Sequence, residues 1–178
     1  WVAPEYIQYK YLSFKLDEQH PGTEAAAETA ASLAAASILF KDVDSSYSST
    51  LLEHAIELYD FADKFRGKYV ESCPNAQGFY NTYNGFIDEL AWGAVWLYYA
   101  TGDEKYNEKY SVIADAEYSP YDPFRYTGCE GPISWDDKRP GAYVLIAKLT
   151  QDENRMKIAE EYCDVILTQP KTQGGLWY

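Results

Sequence analysis

Apolar residues recur along this chain at helical intervals, and strand-like alternation is almost absent. Leu52, Ala55, Ile56, Tyr59 and Ala62 keep an i, i+3, i+4, i+7 rhythm with Glu53, Glu57 and Asp60 opposite, which predicts an amphipathic helix over 49–65. Over 23–40 the pattern differs. Ala25, Ala26, Ala27, Ala30, Ala31, Ala34, Ala35 and Ala36 put small residues on nearly every face, so this helix is expected to pack closely against neighbours on more than one side. Thr23 reads as its N-cap, and Glu24 favours the helix dipole. Four more helices are expected over 85–100, 104–114, from 136 or 140 to 149, and over 153–168. Gly67 reads as a C-terminal stop, Pro140 as a first-turn residue, and Pro170 with Gly174-Gly175 as a terminator. Residues 1–22, 42–49 and 68–84 read as loops, and 115–134 as a long loop of the kind that is either functional or disordered.

Helix pairs joined alternately by short and long connections suggest an all-α protein, either an α/α toroid or a solenoid. No clean sequence period is present, which counts against the solenoid. The length of 178 residues suits one domain.

Charge narrows the partners. With 15 Lys and Arg against 28 Asp and Glu, the formal balance is −13, so nucleic acid and anionic membrane are expected non-partners. No run of 18 apolar residues suggests a membrane span. The 18 Tyr and 5 Trp suit a surface that is both apolar and wet. Cys73, Cys129 and Cys163 have no metal-motif spacing and indicate no disulfide framework. The chain opens on Trp1 without a charged-then-apolar leader, which reads as a piece of something longer.

The chemistry concentrates in two stretches. In Phe79-Tyr80-Asn81-Thr82-Tyr83-Asn84-Gly85-Phe86-Ile87-Asp88-Glu89, two tyrosines on a polar turn precede two carboxylates at a helix start. Ser134-Trp135-Asp136-Asp137-Lys138 again sets carboxylates beside an aromatic. Tyr80 and Tyr83 are candidates to stack on the C–H face of a sugar, or else loop tyrosines capping a core. Asp88 and Glu89 either complement the helix dipole or, with Asp136 and the carbonyls of Asn84 and Gly85, hold a calcium ion, which takes six to eight oxygens. Asp137 and Lys138 could form a cleft-side polar pair or a surface salt bridge. Trp92, Trp96, Tyr98 and Trp135 are expected in the core, and His20 and His54 on the surface or in helix packing.

Several blocks then resemble one family, in its own order, over most of the chain. Pro21-Gly22-Thr23-Glu24-Ala25-Ala26-Ala27-Glu28-Thr29-Ala30-Ala31-Ser32-Leu33 is similar to the alanine-rich helix of glycoside hydrolase family 9, the inverting endoglucanases. Phe61-Ala62-Asp63-Lys64-Phe65-Arg66-Gly67, Asp88-Glu89-Leu90-Ala91-Trp92-Gly93-Ala94-Val95-Trp96-Leu97-Tyr98 and Ser134-Trp135-Asp136-Asp137-Lys138 resemble its following blocks. The resemblance implies the central part of an (α/α)6 barrel, a six-hairpin toroid, with 1–178 a partial catalytic domain. It implies a secreted endo-β-1,4-glucanase acting on cellulose, calcium at Asn84, Gly85, Asp88, Glu89 and Asp136, and sugar contacts at Tyr80 and Tyr83. The family commonly has Trp where Tyr83 stands, so that subsite is expected to differ in shape. The motifs carrying the general base and general acid are missing, so no catalytic residue is expected in this chain. Asn107-Glu108 imitates the acid motif but follows Ala100-Thr101-Gly102-Asp103, where the family has an ordinary surface helix. A non-catalytic carbohydrate-binding or scaffold toroid is the alternative.

Overall fold

The computed structural model describes residues 3–8, 12–117 and 133–168. Cys129, most of the expected 115–134 loop, and the expected terminator at Pro170 and Gly174-Gly175 lie outside the described residues. Helices α1 (Thr23–Phe40), α2 (Ser45–Lys64), α3 (Tyr69–Ser72), α4 (Ile87–Thr101), α5 (Glu104–Glu117), α6 (Arg139–Thr150) and α7 (Glu153–Thr168) carry the fold. Short 3-10 turns lie at Pro4–Tyr6 and Pro74–Ala76. Among the described residues there is no strand beyond an isolated bridge between Asp17 and His20, and no helix is long and apolar enough to cross a membrane.

The helices form three hairpins, α1/α2, α4/α5 and α6/α7, with α3 inserted after the first. The leading helices make a row: α4 packs against both α1 and α6, while α2, α5 and α7 each pack chiefly on their own hairpin partner. The row depends on small residues. Ala27, Ala30 and Ala34 of α1 are fully buried, as are Ala55 and Ala62 of α2 and Ala94 of α4. Gly93 marks the closest approach. A Cβ there would lie 2.8 Å from the Tyr59 ring and 3.3 Å from the Ala27 carbonyl, so α4, α2 and α1 meet at one backbone position.

Helix ends follow local chemistry, with some departures from expectation. α2 begins at Ser45 because the Asp44 carboxylate accepts the Tyr47 N–H at 2.9 Å, turning most of the expected polar turn into helix. Thr23 is the first helical residue, not the cap. Its hydroxyl oxygen accepts the Gly67 N–H and its own N–H donates to the Gly67 carbonyl, both at 2.9 Å. Gly67 is therefore not the stop of α2, which ends at Lys64; a Cβ at Gly67 would lie 2.4 Å from Pro21. α4 ends on Gly102 in the left-handed region, φ 68°, with its N–H on the Tyr98 carbonyl. Pro140 sits in the first turn of α6, as its missing N–H requires.

Candidate functional site

Two loops lie together over the start of α4. The first, 80–86, leads into that helix; the second, 133–138, leads into α6. Three bonds stitch them to each other and to α4, and a fourth closes the second loop on itself. The Tyr83 N–H donates to Asp136 Oδ1 and the Asn84 side-chain amide to the Asp136 carbonyl, both at 3.1 Å. The Lys138 N–H donates to Asp88 Oδ2 at 2.7 Å. The Lys138 ammonium donates to the Ser134 carbonyl at 2.5 Å. Gly85 turns the first loop at φ 86°, a conformation most side chains avoid.

α1 anchors the same region from below. Glu24 is buried and accepts the Tyr69 N–H at 2.9 Å and the Thr82 hydroxyl at 2.8 Å. Burial pushes its carboxyl above the ordinary glutamate range, against these bonds and the charge of Lys68. The Tyr69 hydroxyl donates to the Tyr80 carbonyl. Glu28, one turn further along α1, pairs with the Lys138 ammonium at 2.6 Å. Lys138 thus belongs to neither a cleft-side pair nor a surface bridge with Asp137. It is buried, and Asp137 pairs with Arg139 at 2.6 Å.

Three rings stand on this base. Tyr80 and Tyr83 are 58% and 71% exposed, which removes the core-capping reading. Trp135 corrects the expectation of a core residue: it is 51% exposed and meets Tyr80 at 5.7 Å and Tyr83 at 6.3 Å between ring centroids, edge to face. It stands in a loop next to Asp136 and Asp137, outside the helical spacing that sets Trp92 and Trp96 against the core. Trp92 and Trp96 do pack against the core, as does Tyr98. A cavity of about 350 Å3 opens beneath the rings, lined by Glu24, Glu28, Tyr80, Glu89, Trp135 and Asp136 among others.

Asp88 and Glu89 are both 2% exposed, and Asp88 Oδ1 and Glu89 Oε2 have no hydrogen-bond partner. Burial raises both carboxyls above their ordinary range, and the charge of Asp88 raises Glu89 further. Two buried acids side by side with orphaned oxygens call for a cation or a retained proton. Hard oxygen donors fit calcium. Among the described residues, however, no three His, Cys, Asp or Glu side chains are grouped to hold a metal ion. Asp136 directs Oδ1 to Tyr83 and Asp88 directs Oδ2 to Lys138, leaving part of an oxygen shell rather than a closed one.

The remaining candidates are structural. His20 and His54 are exposed and bond to Asp17 and Glu57. Asn107 lies on α5, donating to Glu104 and accepting from Arg155 of α7. Cys73 and Cys163 are free thiols.

The family model for glycosyl hydrolase family 9 matches residues 1–178. The chain belongs to glycosyl hydrolase family 9. It is 43% identical over 164 residues to endoglucanase A of Bacillus pumilus, covering 92% of this chain and 24% of that protein. The structure of the termite endoglucanase from Nasutitermes takasagoensis superposes with a TM-score of 0.85 at 40% identity, covering 100% of this chain and 40% of that one. The cellulase Cel9M of C. cellulolyticum in complex with cellobiose gives 0.77 at 27% identity, over 91% of this chain and 36% of that one. This family 9 chain therefore spans between about a quarter and two fifths of the length of these relatives. Its three hairpins are part of the (α/α)6 barrel that its structural neighbours share.

Proposed function

We propose that these residues build the glucan-binding part of a secreted endo-β-1,4-glucanase that cleaves cellulose with inversion. One observation carries this reading: Tyr80, Tyr83 and Trp135 are exposed together on two loops that are hydrogen-bonded to each other. A pyranose presents C–H groups on its faces, and aromatic rings carried on a loop backbone that is already fixed can pack against such a face. That one structural neighbour was solved with cellobiose bound supports the same substrate class. The charge of −13 is compatible with a neutral polysaccharide and disfavours polyanions such as nucleic acid or an anionic membrane surface.

Inverting hydrolysis needs a carboxylic acid at the leaving oxygen and a carboxylate that activates water from the opposite face. Residues 1–178 supply neither in this reading and act as part of a larger catalytic domain. Their work is to bind and orient the glucan. Asp88, Glu89, Asp136 and the carbonyls of Asn84 and Gly85 would hold calcium, whose charge neutralises the buried acids and ties the 80–86 loop to the 133–138 loop. The orphaned oxygens of Asp88 and Glu89 support that assignment.

The intact protein that contains this chain should release reducing ends from carboxymethyl cellulose, with the α-anomer forming first by NMR. Residues 1–178 alone should release none above a heat-killed control. Intact protein that binds cello-oligosaccharides without turnover would identify a non-catalytic carbohydrate binder instead.

A further inference from the structure

Both ring-bearing regions are held by one face of α1. Glu24 and Glu28 are four apart, so they share a face one turn from each other. Glu24 secures the first loop through Thr82, and Glu28 secures the second through Lys138. Lys138 is the junction: its ammonium reaches Glu28 and the Ser134 carbonyl, and its backbone N–H reaches Asp88. The Ser134 carbonyl belongs to the peptide plane that leads directly into Trp135. Because that plane is rigid, a donor fixed on its oxygen constrains the direction in which the indole leaves the backbone.

A lysine 7% exposed is a costly way to hold a loop. The Glu28 side chain is 40% exposed, so solvent screens part of the pairing energy and stability alone does not account for the buried ammonium. Orientation does. A stacking ring that is free before ligand arrives charges its own ordering against binding.

We infer that the Glu28–Lys138 ion pair is a positioning device that sets the indole of Trp135 for glucan stacking, acting through the Ser134 carbonyl. The inference rests on the reading of Tyr80, Tyr83 and Trp135 as a glucan platform. It goes beyond that reading by assigning substrate affinity to the pairing of a buried lysine with a part-exposed glutamate of α1.

The test uses the intact protein, with cellotetraose as the binding probe and carboxymethyl cellulose for kinetics. Lys138→Met keeps the aliphatic stem and removes the ammonium. It should raise both the cellotetraose Kd and the KM about tenfold while kcat stays within about twofold, because the ring is displaced but the reacting groups are not. Glu28→Gln should act in the same direction more weakly, and the double variant should be no worse than Lys138→Met, as expected for one coupled unit. Lys138→Arg should recover most of the affinity. In a Trp135→Ala background, Lys138→Met should add nothing.

Wild-type affinity in Lys138→Met alongside weakened binding in Trp135→Ala would overturn the inference and leave the platform standing. So would a Lys138→Met effect that persists undiminished without the indole, since it would then act through general structure. If Lys138→Met loses its fold by circular dichroism, Glu28→Gln decides the matter, and unchanged affinity there overturns the inference. A Trp135→Ala variant that binds like wild type removes Trp135 from the platform and overturns this inference, while the platform itself falls only if Tyr80→Ala and Tyr83→Ala also bind normally.

Discussion

Asp88 accepts the backbone N–H of Lys138 at 2.7 Å across fifty positions of the chain, and this bond joins the entry of α6 to the first turn of α4. It occupies Oδ2 alone. Oδ1 of the same carboxyl and Oε2 of Glu89 remain buried and unpartnered. A cation in contact with them would neutralise two acids that burial otherwise disfavours in the charged form. Chelation of the intact protein should therefore lower its melting temperature by several degrees, about what a loss of 1–2 kcal/mol produces in a domain-sized unit. Asp136→Ala, which also removes the acceptor for the Tyr83 N–H, should start from a lower melting temperature and lose the response to chelator. A wild-type melting curve that chelator leaves in place would count against calcium here.

The three rings should be separable from the fold. Tyr80, Tyr83 and Trp135 expose half or more of their surface, so replacing any one with Ala removes little buried area. Each replacement should weaken binding of cellotetraose by up to about tenfold, which corresponds to about 1.4 kcal/mol, with unchanged far-ultraviolet dichroism. Tyr83→Trp should tighten binding by enlarging the stacking face. Normal affinity in all three alanine variants would make the rings structural.

Gly93 tests the close row of helices. Alanine usually stabilises a helix over glycine by about 1 kcal/mol. At this position the added methyl would meet the buried Tyr59 ring at 2.8 Å and the Ala27 carbonyl at 3.3 Å. Overpacking of about 1–3 kcal/mol should outweigh the propensity gain, so Gly93→Ala should lower the urea midpoint. A raised midpoint would mean that α1, α2 and α4 can separate at little cost.

How much of this was legible beforehand depended on how local each signal was. Helix α7 was expected over 153–168 and is found there, because its boundaries are set by neighbouring residues. The start of α2 is not marked by the apolar rhythm, because Asp44 caps it through a single hydrogen bond inside a polar stretch. Tyr80 and Tyr83 could be marked from the polarity of their own loop. Trp135 could not, since its exposure is decided by the pairing of Asp136 with Tyr83 and Asn84, more than fifty positions away. The Lys138–Glu28 pair joins distant segments of the chain, and neither residue carries a local hint of the other.

Glu24 gives a pH signature. Its folded pKa is raised by burial above the ordinary value of 4.5, so the fold favours the protonated form more than the unfolded chain does. The corresponding contribution to stability is fully present below the unfolded pKa and is lost as pH rises through the folded one. Glu24→Gln removes the titration while keeping an acceptor for the Tyr69 N–H and a donor for the Thr82 hydroxyl oxygen. The stability of this variant relative to wild type should therefore improve as pH rises above about 4.5 and level off beyond the folded pKa. A stability difference that is flat from pH 4 to pH 8 would show that Glu24 does not titrate in this window.

The last prediction concerns residues 1–178 expressed alone. In a closed ring of hairpins every inner helix has an inner neighbour on each side. Among the described residues α4 has two, α1 and α6, whereas α1 and α6 each pack against α4 as their inner neighbour. Apolar surface is exposed on the terminal hairpins. A cavity of about 350 Å3 between α6 and α7 is lined by Val144, Ala147, Met156, Ala159 and Cys163 among others. Val165 and Leu167 of α7 are exposed, and at the α1–α2 turn so are Leu39 and Val43. Exposed apolar surface of more than roughly several hundred Å2 drives association, and a net charge of −13 slows but does not remove that drive. Light scattering behind size exclusion should show oligomers or aggregate, and the melt should be broad. A monomeric peak with a sharp cooperative melt would mean that three hairpins close a sufficient core by themselves, and that the flanks of α1 and α6 need no neighbour.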